Sequence, residues 1–371
     1  MIKAEKDDHT RFENLQTQPL RIMKIFNNSA VITEGWYPVC PSRDVKTGKV
    51  KSVLITFQRI AVYRGMDGVV RALDAFCAHM GADLGNGRVI GNSLQCYFHQ
   101  WQYSAEGKLE SARAATKVPK GICQRSYPVE ERYGMIWVYA GEKARHPVPV
   151  PATFEGKELV TWRISGLKLY AHHHVMMLGG IDLLHFASVH GLEAKFKYDI
   201  KDRDDETADW EIEGAFPETG WRPRLGRWFL GESFKYTARF SGGSVVSLTY
   251  GPDQRFGGNG RPLTPMAVLW GCVAGADGIS GIDVFLVTPK RKGIFGGLKS
   301  QIYLAFTALL LSVLRDDDIK AFPHMRFQIN NALLEDQCAI RFVKWVERLR
   351  PSAWSRLPKN APEQAMEESK L

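Results

Sequence analysis

Two short stretches decide the fold of this chain: Cys77-Ala-His79-Met-Gly81 and Cys96-Tyr-Phe-His99-Gln-Trp101, with sixteen residues between His79 and Cys96. Each stretch offers one thiolate and one imidazole, which are common metal ligands in proteins. Gly81 gives the first loop the backbone freedom to bring amides close to the sulfurs. Zinc fingers differ, because their cysteines and histidines form separate C-x₂₋₄-C and H-x₃₋₅-H pairs. The pattern therefore indicates a cluster in which two thiolates hold one iron and two imidazoles hold the other.

These loops resemble the Rieske family, in its oxygenase branch rather than its respiratory branch. Respiratory members have a further cysteine in each loop, and the two cysteines form a disulfide; Ala82 and Phe98 stand at those positions here. The resemblance covers about residues 35–350 and implies a Rieske [2Fe–2S] cluster. Its four ligands would be Cys77, His79, Cys96 and His99. The chain is most similar to single-subunit-type oxygenases such as the aminopyrrolnitrin oxygenase and 3-ketosteroid 9α-hydroxylase groups.

A second candidate metal site lies in Asp182-Leu-Leu-His185-Phe-Ala-Ser-Val-His190. Two imidazoles and a carboxylate on one face of Fe(II) leave positions open for O₂ and substrate. The spacing alone is a weak signal, and His185 and His190 point about 140° apart on an ideal helix, so a bulge or the helix end at Gly191 must bring them together. The order of the two motifs matches that of Rieske oxygenases. The resemblance implies that both histidines bind a mononuclear Fe(II) and that Asp182 bridges to the cluster of a neighbouring subunit.

The third iron ligand is expected in the C-terminal helix. Asp336, Ile340 and Val343 would share one helical face, so the carboxylate would point inward with apolar side chains. The family also has its carboxylate ligand in a helix at this point of the chain, which favours Asp336. Glu335 and Asp316–Asp318 remain alternatives, although the latter run is more typical of the end of the preceding helix.

Two features beside the second motif shape the expected pocket. His172, His173 and His174 fall on a predicted strand, where neighbouring residues point to opposite faces, so all three should not bind one ion and at most one should line the pocket. The family usually has Asn three residues before the bridging aspartate, and Gly179 stands at that position. An auxiliary role of that asparagine is therefore in doubt here.

The length of 371 residues favours two domains. Short β-type runs broken by Gly and Asn predict an all-β Rieske domain at residues 35–145, after an N-terminal arm at 1–34. The Pro-rich segment from His146 to Pro151 reads as a stiff connector. An antiparallel sheet with helices, a helix-grip catalytic domain, is predicted for 146–357, and a polar tail for 358–371. The fold class is thus α+β.

The charge and the remaining cysteines limit the partners and the location. The net charge is +9, and no nucleic-acid-binding motif accompanies it, so a basic surface facing an acidic electron carrier is favoured. The candidate residues are Lys46, Lys49, Lys51, Lys108, Arg113, Lys117 and Lys120. Six cysteines without an apolar N-terminal signal do not suggest a disulfide framework, and the four outside the motif should be buried thiols. A cytoplasmic protein is expected.

The longest apolar run, Ile302–Leu314, is too short to span a bilayer and is expected to form a buried core helix. A helix on the membrane surface is the alternative, since basic residues precede the run. Peripheral membrane contact is therefore possible but not expected.

The family resemblance implies an activity and partners. Electrons from NAD(P)H would arrive through a separate reductase, a ferredoxin or both, and O₂ would oxidise a small molecule in a homotrimer. An apolar, aromatic or polycyclic substrate is suggested by Met176, Met177, Phe186 and the Ile302–Leu314 run. Monooxygenation is the favoured outcome; dioxygenation, N-oxygenation, desaturation, demethylation and oxidative cyclisation would use the same iron site. A non-catalytic [2Fe–2S] electron-transfer protein is the alternative from another class.

Overall fold

The structure is a computed structural model. It describes residues 23–113, 117–118, 120–189, 196–216, 218–220, 224, 227–228, 232–251, 260, 262–322, 325 and 327–356. His190, most of the predicted arm and the predicted polar tail lie outside these ranges. Among the described helices, none combines the length and the apolar character needed to cross a bilayer.

The N-terminal part consists of short antiparallel strands in three small sheets. Within the described residues these strands are β1 Trp36–Pro41, β2 Val50–Ile55, β3 Gln58–Arg64, β4 Val70–Asp74, β5 Arg88–Ile90, β6 Ser93–Gln95, β7 Trp101–Tyr103, β8 Leu109–Ala112, β9 Ser126–Tyr127, β10 Val129–Arg132 and β11 Met135–Tyr139. The sheet orders are β1-β11-β10, β2-β3-β4-β9 and β5-β6-β7-β8. The two Cys/His motifs occupy the loops after β4 and between β6 and β7, so one sheet and its neighbour hold them side by side.

The C-terminal part is one seven-stranded antiparallel sheet. Its strands are β12 Leu159–Leu169, β13 Phe196–Asp202, β14 Thr207–Ala215, β15 Ser233–Ser241, β16 Val245–Tyr250, β17 Met266–Ala274 and β18 Ser280–Pro289. The order is β12-β18-β17-β16-β15-β14-β13, so sequence neighbours pair throughout except that β12 returns to the last strand. On β14, Ala208, Trp210 and Ile212 are buried while Glu213 is exposed. This alternation gives the sheet one face that must be covered by helices.

Four helices accompany this sheet in the described residues: α1 His173–Gly179, α2 Leu183–Ser188, α3 Gly296–Ala321 and α4 Gln337–Val346. Helix α4 buries Phe342 and Trp345 against the sheet residues Trp210 and Phe240, with the Phe240 and Phe342 ring centroids 4.7 Å apart. Helix α3 lies along β12 and β18. The predicted α+β class, an all-β domain followed by an antiparallel sheet with helices, is therefore confirmed.

Three local expectations differ from the structure. The helical stretch expected near 175–190 is two helices, because the first ends at Gly179 with Gly180 as its C-cap and the Asp182 side chain caps the second. The helix expected at Ile302–Leu314 runs from Gly296 to Ala321, and the expectation that it is buried is wrong for its outer face, where Ile302 and Phe306 are exposed. The C-terminal helix begins only at Gln337.

The two parts share a core. Trp36 and Trp137 of the N-terminal part belong to one buried cluster with Leu269 and Phe285 of the large sheet. The described end of the predicted arm also packs on the C-terminal part, since the backbone N–H groups of residues 24–26 donate to the Glu347 carboxylate at 2.7–2.9 Å. The domain boundaries at residues 34, 145 and 357 stay predictions.

Candidate active site

The first centre is formed by the two motif loops. The Cys77 and Cys96 thiols are buried within hydrogen-bonding reach of each other, whereas His79 is exposed and His99 is half-buried. The two imidazole rings lie side by side, with centroids 4.7 Å apart. Burial, with a contribution from the neighbouring thiol of Cys77, raises the pKa of Cys96. Two inner sulfurs and two outer imidazoles are the donor set that a Rieske [2Fe–2S] cluster requires, so these residues fit it.

Two aromatic residues support these loops, and the sequence reasoning missed both. The Trp101 ring stacks on the His79 ring at a centroid distance of 4.1 Å and an angle of 8°. The Tyr103 hydroxyl lies 3.1 Å from the Cys77 sulfur. Residues 101 and 103 are on β7, directly after the second motif, and alternate residues of a strand share a face. That periodicity was the signal that could have assigned both side chains to the cluster.

The other cysteines are free thiols in the structure. Cys40, Cys272 and Cys338 are buried as expected, but Cys123 is exposed. It lies in the surface segment that bridges to Lys108, so the expectation of four buried thiols is wrong at this position.

The second centre lies at the break between α1 and α2. Asp182 is the N-cap of α2, and its Oδ1 accepts the backbone N–H of His185 at 3.1 Å. His185 is therefore held on the first turn of a short helix, with its ring stacked on Phe322 at a centroid distance of 5.8 Å. Helix α2 ends at Ser188, and the other predicted ligand, His190, lies outside the described residues.

Asp336 lies at the entry to α4 rather than inside it. It ends a 3₁₀ turn, Leu334–Asp336, and its Oδ2 accepts the backbone N–H of Leu333 at 2.7 Å. The sequence predicts Asp336 inside this helix, on the same face as Ile340 and Val343. In the structure Asp336 precedes the helix, and its side chain caps the 3₁₀ turn instead. The alternative ligand Glu335 is exposed, and the side chains of Asp316–Asp318 lie outside the described part of the chain.

A single cavity of about 390 Å³ connects these residues. Asp182, His185 and Asp336 all line it, together with the apolar side chains of Val175, Leu178, Phe322, Met325, Phe327, Ile329, Ala332 and Ala339. Its volume is in the range of small-molecule sites. Gln328 and Asn331 are further polar residues of the wall. One imidazole and two carboxylates converging on a mainly apolar cavity are donors of the type that bind a mononuclear iron, so the described residues fit such an ion.

The residues expected to face a substrate lie elsewhere. Among the described residues the cavity wall includes none of Met176, Met177 and Phe186. Met177 is fully buried in the core, and Phe186 packs on Phe196 and Tyr236. Phe322 and Phe327, which precede α4, form the apolar wall instead.

Gly179 also lines the cavity, and the structure explains why the position is small. A Cβ atom at residue 179 would lie 2.8 Å from Cζ of Phe322, which is closer than real contacts allow. The glycine therefore lets the Phe322 ring pack against both α1 and His185. An asparagine at this position would displace that ring.

The three consecutive histidines do not lie on a strand. His172 is the N-cap of α1 and the other two are in its first turn, so the rings converge with centroids 4.3–4.5 Å apart, and the expectation that neighbours separate is wrong. Their potential ligand atoms lie within 4.8 Å of one another. Burial lowers the pKa of all three, that of His173 to about 4. They are neutral at pH 7, and none of them lines the described cavity wall.

Comparisons with known proteins identify the N-terminal domain and the overall fold. Residues 35–128 match the family described as the Rieske [2Fe–2S] domain. The chain is 34% identical over 158 residues to a cholesterol 7-desaturase of Bombyx mori, covering 42% of this chain and 35% of that protein. It is 29% identical over 162 residues to a 3-ketosteroid-9-alpha-monooxygenase oxygenase component of Rhodococcus rhodochrous, covering 42% of each. The matches thus span about a third to a half of these relatives.

Solved structures extend the likeness over both domains. Dicamba monooxygenase bound to dicamba superposes with a TM-score of 0.60 at 16% identity, covering 84% of this chain and 96% of that one. NdmB of Pseudomonas putida CBB5 gives a TM-score of 0.61 at 16% identity, covering 88% and 92%. At this identity the likeness concerns the fold. Residues 35–128 therefore belong to the Rieske [2Fe–2S] domain family, and the chain as a whole has the fold of dicamba monooxygenase and NdmB; these likenesses imply a Rieske [2Fe–2S] cluster and a mononuclear iron as cofactors.

Proposed function

We propose that this chain is an oxygenase component that uses O₂ and electrons from NAD(P)H to oxidise an apolar polycyclic molecule of the steroid type. The cavity carries this proposal, because Asp182, His185 and Asp336 open into a space whose other walls are mainly apolar. Such walls favour a substrate that leaves water, while few polar groups are available to bind a charged one. The relatives named for cholesterol and 3-ketosteroids support this substrate class.

His185 and Asp336, with His190 as the third predicted ligand, would hold the mononuclear iron. When bound, the iron supplies the activation of O₂. Asp182 orients the start of α2 by accepting the N–H of His185. Phe322 stacks on the His185 ring and forms part of the cavity wall, so it restricts the imidazole to one orientation and excludes water beside it.

Asp182 would also carry electrons from the cluster of a neighbouring subunit, in a homotrimer. The cluster end of the molecule suits such a contact. His79 is exposed there, beside the large exposed side chains Phe76, Met80, Tyr97 and Phe98. An exposed apolar group of this size typically marks an interaction site.

The electron donor, a reductase or ferredoxin, would use the same end of the molecule. The Arg113 guanidinium donates to Gln100 Oε1 at 3.0 Å, next to the ligand His99. The exposed Lys108 lies on the neighbouring strand edge. These cations favour an acidic carrier, in which complementary charge raises the rate of encounter.

Two other functions stay open as alternatives. Desaturation is supported by the name of the cholesterol 7-desaturase relative, since the same iron site can remove two hydrogens instead of adding oxygen. A pure electron-transfer protein would need the cluster but would have no use for the cavity and its carboxylates. The cavity therefore favours catalysis.

The proposal is tested by anaerobic titration of the iron-loaded protein. Sterols, 3-ketosteroids and, as small controls, substituted benzoic acids are added while EPR of the nitric oxide adduct of the ferrous iron is recorded. A steroid should perturb the signal, and Ile329→Trp, which fills the cavity, should abolish the response. Exposed Ile294→Trp is the matched control and should behave like the wild type. Mass spectrometry after addition of O₂ then separates a gain of one oxygen from a loss of two hydrogens. A response only to the benzoic acids would contradict the steroid assignment.

A further inference from the structure

Helix α3 presents an apolar ridge to solvent. Phe295, just before the helix, and Leu298, Ile302 and Phe306 follow one another at intervals of three and four residues, so they lie on one helical face. Their exposed fractions are 66%, 60%, 62% and 58%, and Ile294 beside them is 98% exposed. Scattered apolar residues on a surface are ordinary, but a continuous row of this length typically marks an interaction site.

The opposite face of the helix is anchored. Ser300 and Leu304 are fully buried, and Thr307 is almost so. The Gln301 side chain donates to the Thr161 carbonyl on β12 at 3.3 Å, and the Arg291 N–H donates to Ser300 Oγ at 3.1 Å. The helix therefore cannot rotate to hide its ridge without losing these contacts.

The charges beside the ridge have one sign. Between Lys290 and Leu309 the sequence contains four basic residues and no acidic one. Lys290 pairs with Glu158, and the Arg291 guanidinium lies over the Tyr303 ring. Lys292 and Lys299 are exposed, and no carboxylate of the described residues forms an ion pair with either. An apolar row flanked by lysines complements a surface that is apolar inside and anionic outside.

The same helix leads to the cavity. Its last residue, Ala321, is followed by Phe322 in the cavity wall, and Met325 lines the cavity while remaining 42% exposed. One end of α3 thus carries the basic and apolar surface, and the other end adjoins an accessible part of the cavity wall.

We propose that the α3 ridge docks on an anionic phospholipid membrane, with the helix lying in the interfacial plane. Ile294, Phe295, Leu298, Ile302 and Phe306 enter the acyl region, and Lys292 and Lys299 extend to the headgroups. The docking delivers a membrane-dissolved apolar substrate to the cavity, a step that rests on the proposed function. The surface itself does not depend on the chemistry of the iron site.

The test uses the full chain and sedimentation with vesicles. Vesicles of phosphatidylcholine with 30% phosphatidylserine should bind the protein, and pure phosphatidylcholine vesicles should bind it at least tenfold more weakly. The double variant Ile302→Ser/Phe306→Ser and the charge variant Lys292→Glu/Lys299→Glu should each lose at least tenfold in affinity for the anionic vesicles. Leu54→Ser/Val69→Ser, which removes two exposed apolar residues of the N-terminal part, is the matched control and should bind normally.

A second copy of the chain is the competing occupant of the ridge. Sedimentation velocity of the wild type and of Ile302→Ser/Phe306→Ser distinguishes the two occupants. If the double variant dissociates the assembly and the wild type does not bind vesicles, the proposal is overturned. Failure of docking is distinguishable from failure of the proposed function. Protein that turns over a detergent-solubilised steroid but ignores vesicles contradicts docking alone, whereas protein that binds vesicles but oxidises no steroid contradicts the function alone.

Discussion

Asp336 and Glu335 are adjacent carboxylates with different surroundings, which makes them a matched pair for mutation. Asp336 lines the cavity with His185, while Glu335 is exposed to solvent. We predict that Asp336→Ala lowers mononuclear iron content and reduces turnover more than 100-fold, because loss of a ligand should exceed the 10–100-fold effect typical of residues that only support ligands. Glu335→Ala should keep both. Metal and sulfide analysis with the cluster spectrum measures the two sites separately, and normal iron in Asp336→Ala would move the ligand elsewhere.

Tyr103 offers a second test at the level of one atom. Its hydroxyl lies 3.1 Å from the Cys77 sulfur, and a hydrogen bond to a cluster thiolate stabilises the reduced, more negative cluster. We predict that Tyr103→Phe lowers the cluster reduction potential by about 60 mV, which corresponds to about 1.4 kcal/mol for one electron. Tyr63→Phe is the control, because its buried hydroxyl donates to the Asn92 carbonyl instead. Protein-film voltammetry measures both, and equal potentials for wild type and Tyr103→Phe would contradict a direct bond to the cluster.

Residue types and spacings singled out side chains that the structure brings close together, such as Cys77 with Cys96 and His185 with Asp336, because metal chemistry restricts which side chains can serve. The same reasoning failed for residues whose role depends on a neighbour. Phe322 matters because Gly179 leaves room for its ring beside His185, and no local pattern shows a gap between distant residues. His172 converged with its neighbours because the chain starts a helix there, which a strand pattern did not foresee.

At the scale of elements, whether a segment forms a helix or a strand was easier to predict than its first and last residues. The run from residue 173 to 188 has helical periodicity throughout, yet Gly180 and the capping side chain of Asp182 divide it. Capping competes with helix propagation, and the balance is decided by packing that the sequence does not show. The apolar run from Ile302 to Leu314 predicted helix α3. It did not show which of its apolar residues are exposed, because that depends on the sheet that covers the other face of the helix.

Arg239 connects the large sheet to the Pro-rich segment from His146 to Pro151. Arg239 on β15 makes a bidentate contact to Asp209 on β14 at 2.7 and 2.9 Å, and it also contacts Glu155 and the Val150 carbonyl. We predict that Arg239→Met lowers the free energy of unfolding by about 3 kcal/mol, because it leaves the buried Asp209 with only the longer 3.6 Å contact to Arg203, a half-exposed side chain. Arg163→Met, which removes a more exposed pair with Asp283, should cost about 1 kcal/mol or less.

Urea unfolding followed by tryptophan fluorescence measures both variants. Similar losses for Arg239→Met and Arg163→Met would contradict the view that burial sets the difference. The additional double variant Arg239→Met/Asp209→Leu should recover stability relative to Arg239→Met, because it removes the orphaned charge together with its former partner.

At the scale of the molecule, the Pro-rich segment is the predicted domain boundary, but it gives no indication of how extensively the two parts of the chain pack on each other. Trp137 and Phe285 belong to one core although they come from different sheets. Such contacts link residues almost 150 positions apart, so neither periodicity nor composition announces them. The sequence therefore predicted two architectures and left their common interface to the structure.

A buried carboxylate at that interface makes stability depend on pH. Glu206 accepts hydrogen bonds from Tyr139 and contacts Arg145 and His146, whose Nε2 lies 3.2 Å away; Ser241 also faces the imidazole. Burial is the largest single influence on His146 and opposes its protonation, but the hydrogen bonds to Glu206 and to the Pro147 carbonyl, together with the nearby negative charges of Glu206 and Asp204, raise its pKa overall. A histidine whose pKa is raised in the folded state stabilises the protein fully at pH values below its unfolded pKa of about 6.5. This stabilisation is lost as the pH rises through the folded pKa.

We predict that His146→Gln destabilises the protein by on the order of 1 kcal/mol at pH 6 and by less at pH 8.5. The comparison is the difference in Tm between wild type and variant at the two pH values. A difference that grows with pH would mean that the imidazole is bound in its neutral form.

The proposed homotrimer can be tested through the cavity and the cluster loops together. His79 is exposed at the cluster end, and Asp182 lines the cavity of the other domain. If electrons pass from one chain to the next, a chain with a sound cluster can serve a neighbour with a sound iron site. Cys77→Ser removes a predicted cluster ligand and His185→Ala removes a predicted iron ligand, so each variant alone should be inactive.

Mixing the two variants during refolding separates the two possible paths. In a cyclic trimer assembled at random from equal amounts, about a quarter of the ordered neighbour pairs combine an intact cluster with an intact iron site, so about a quarter of wild-type turnover should return. A path within one chain would return none, because every chain is defective in one centre. Cys77→Ser mixed with Cys96→Ser is the control, since no chain then carries a cluster. Mixed trimers that contain both metals and remain inactive would show that Asp182 does not connect neighbouring chains.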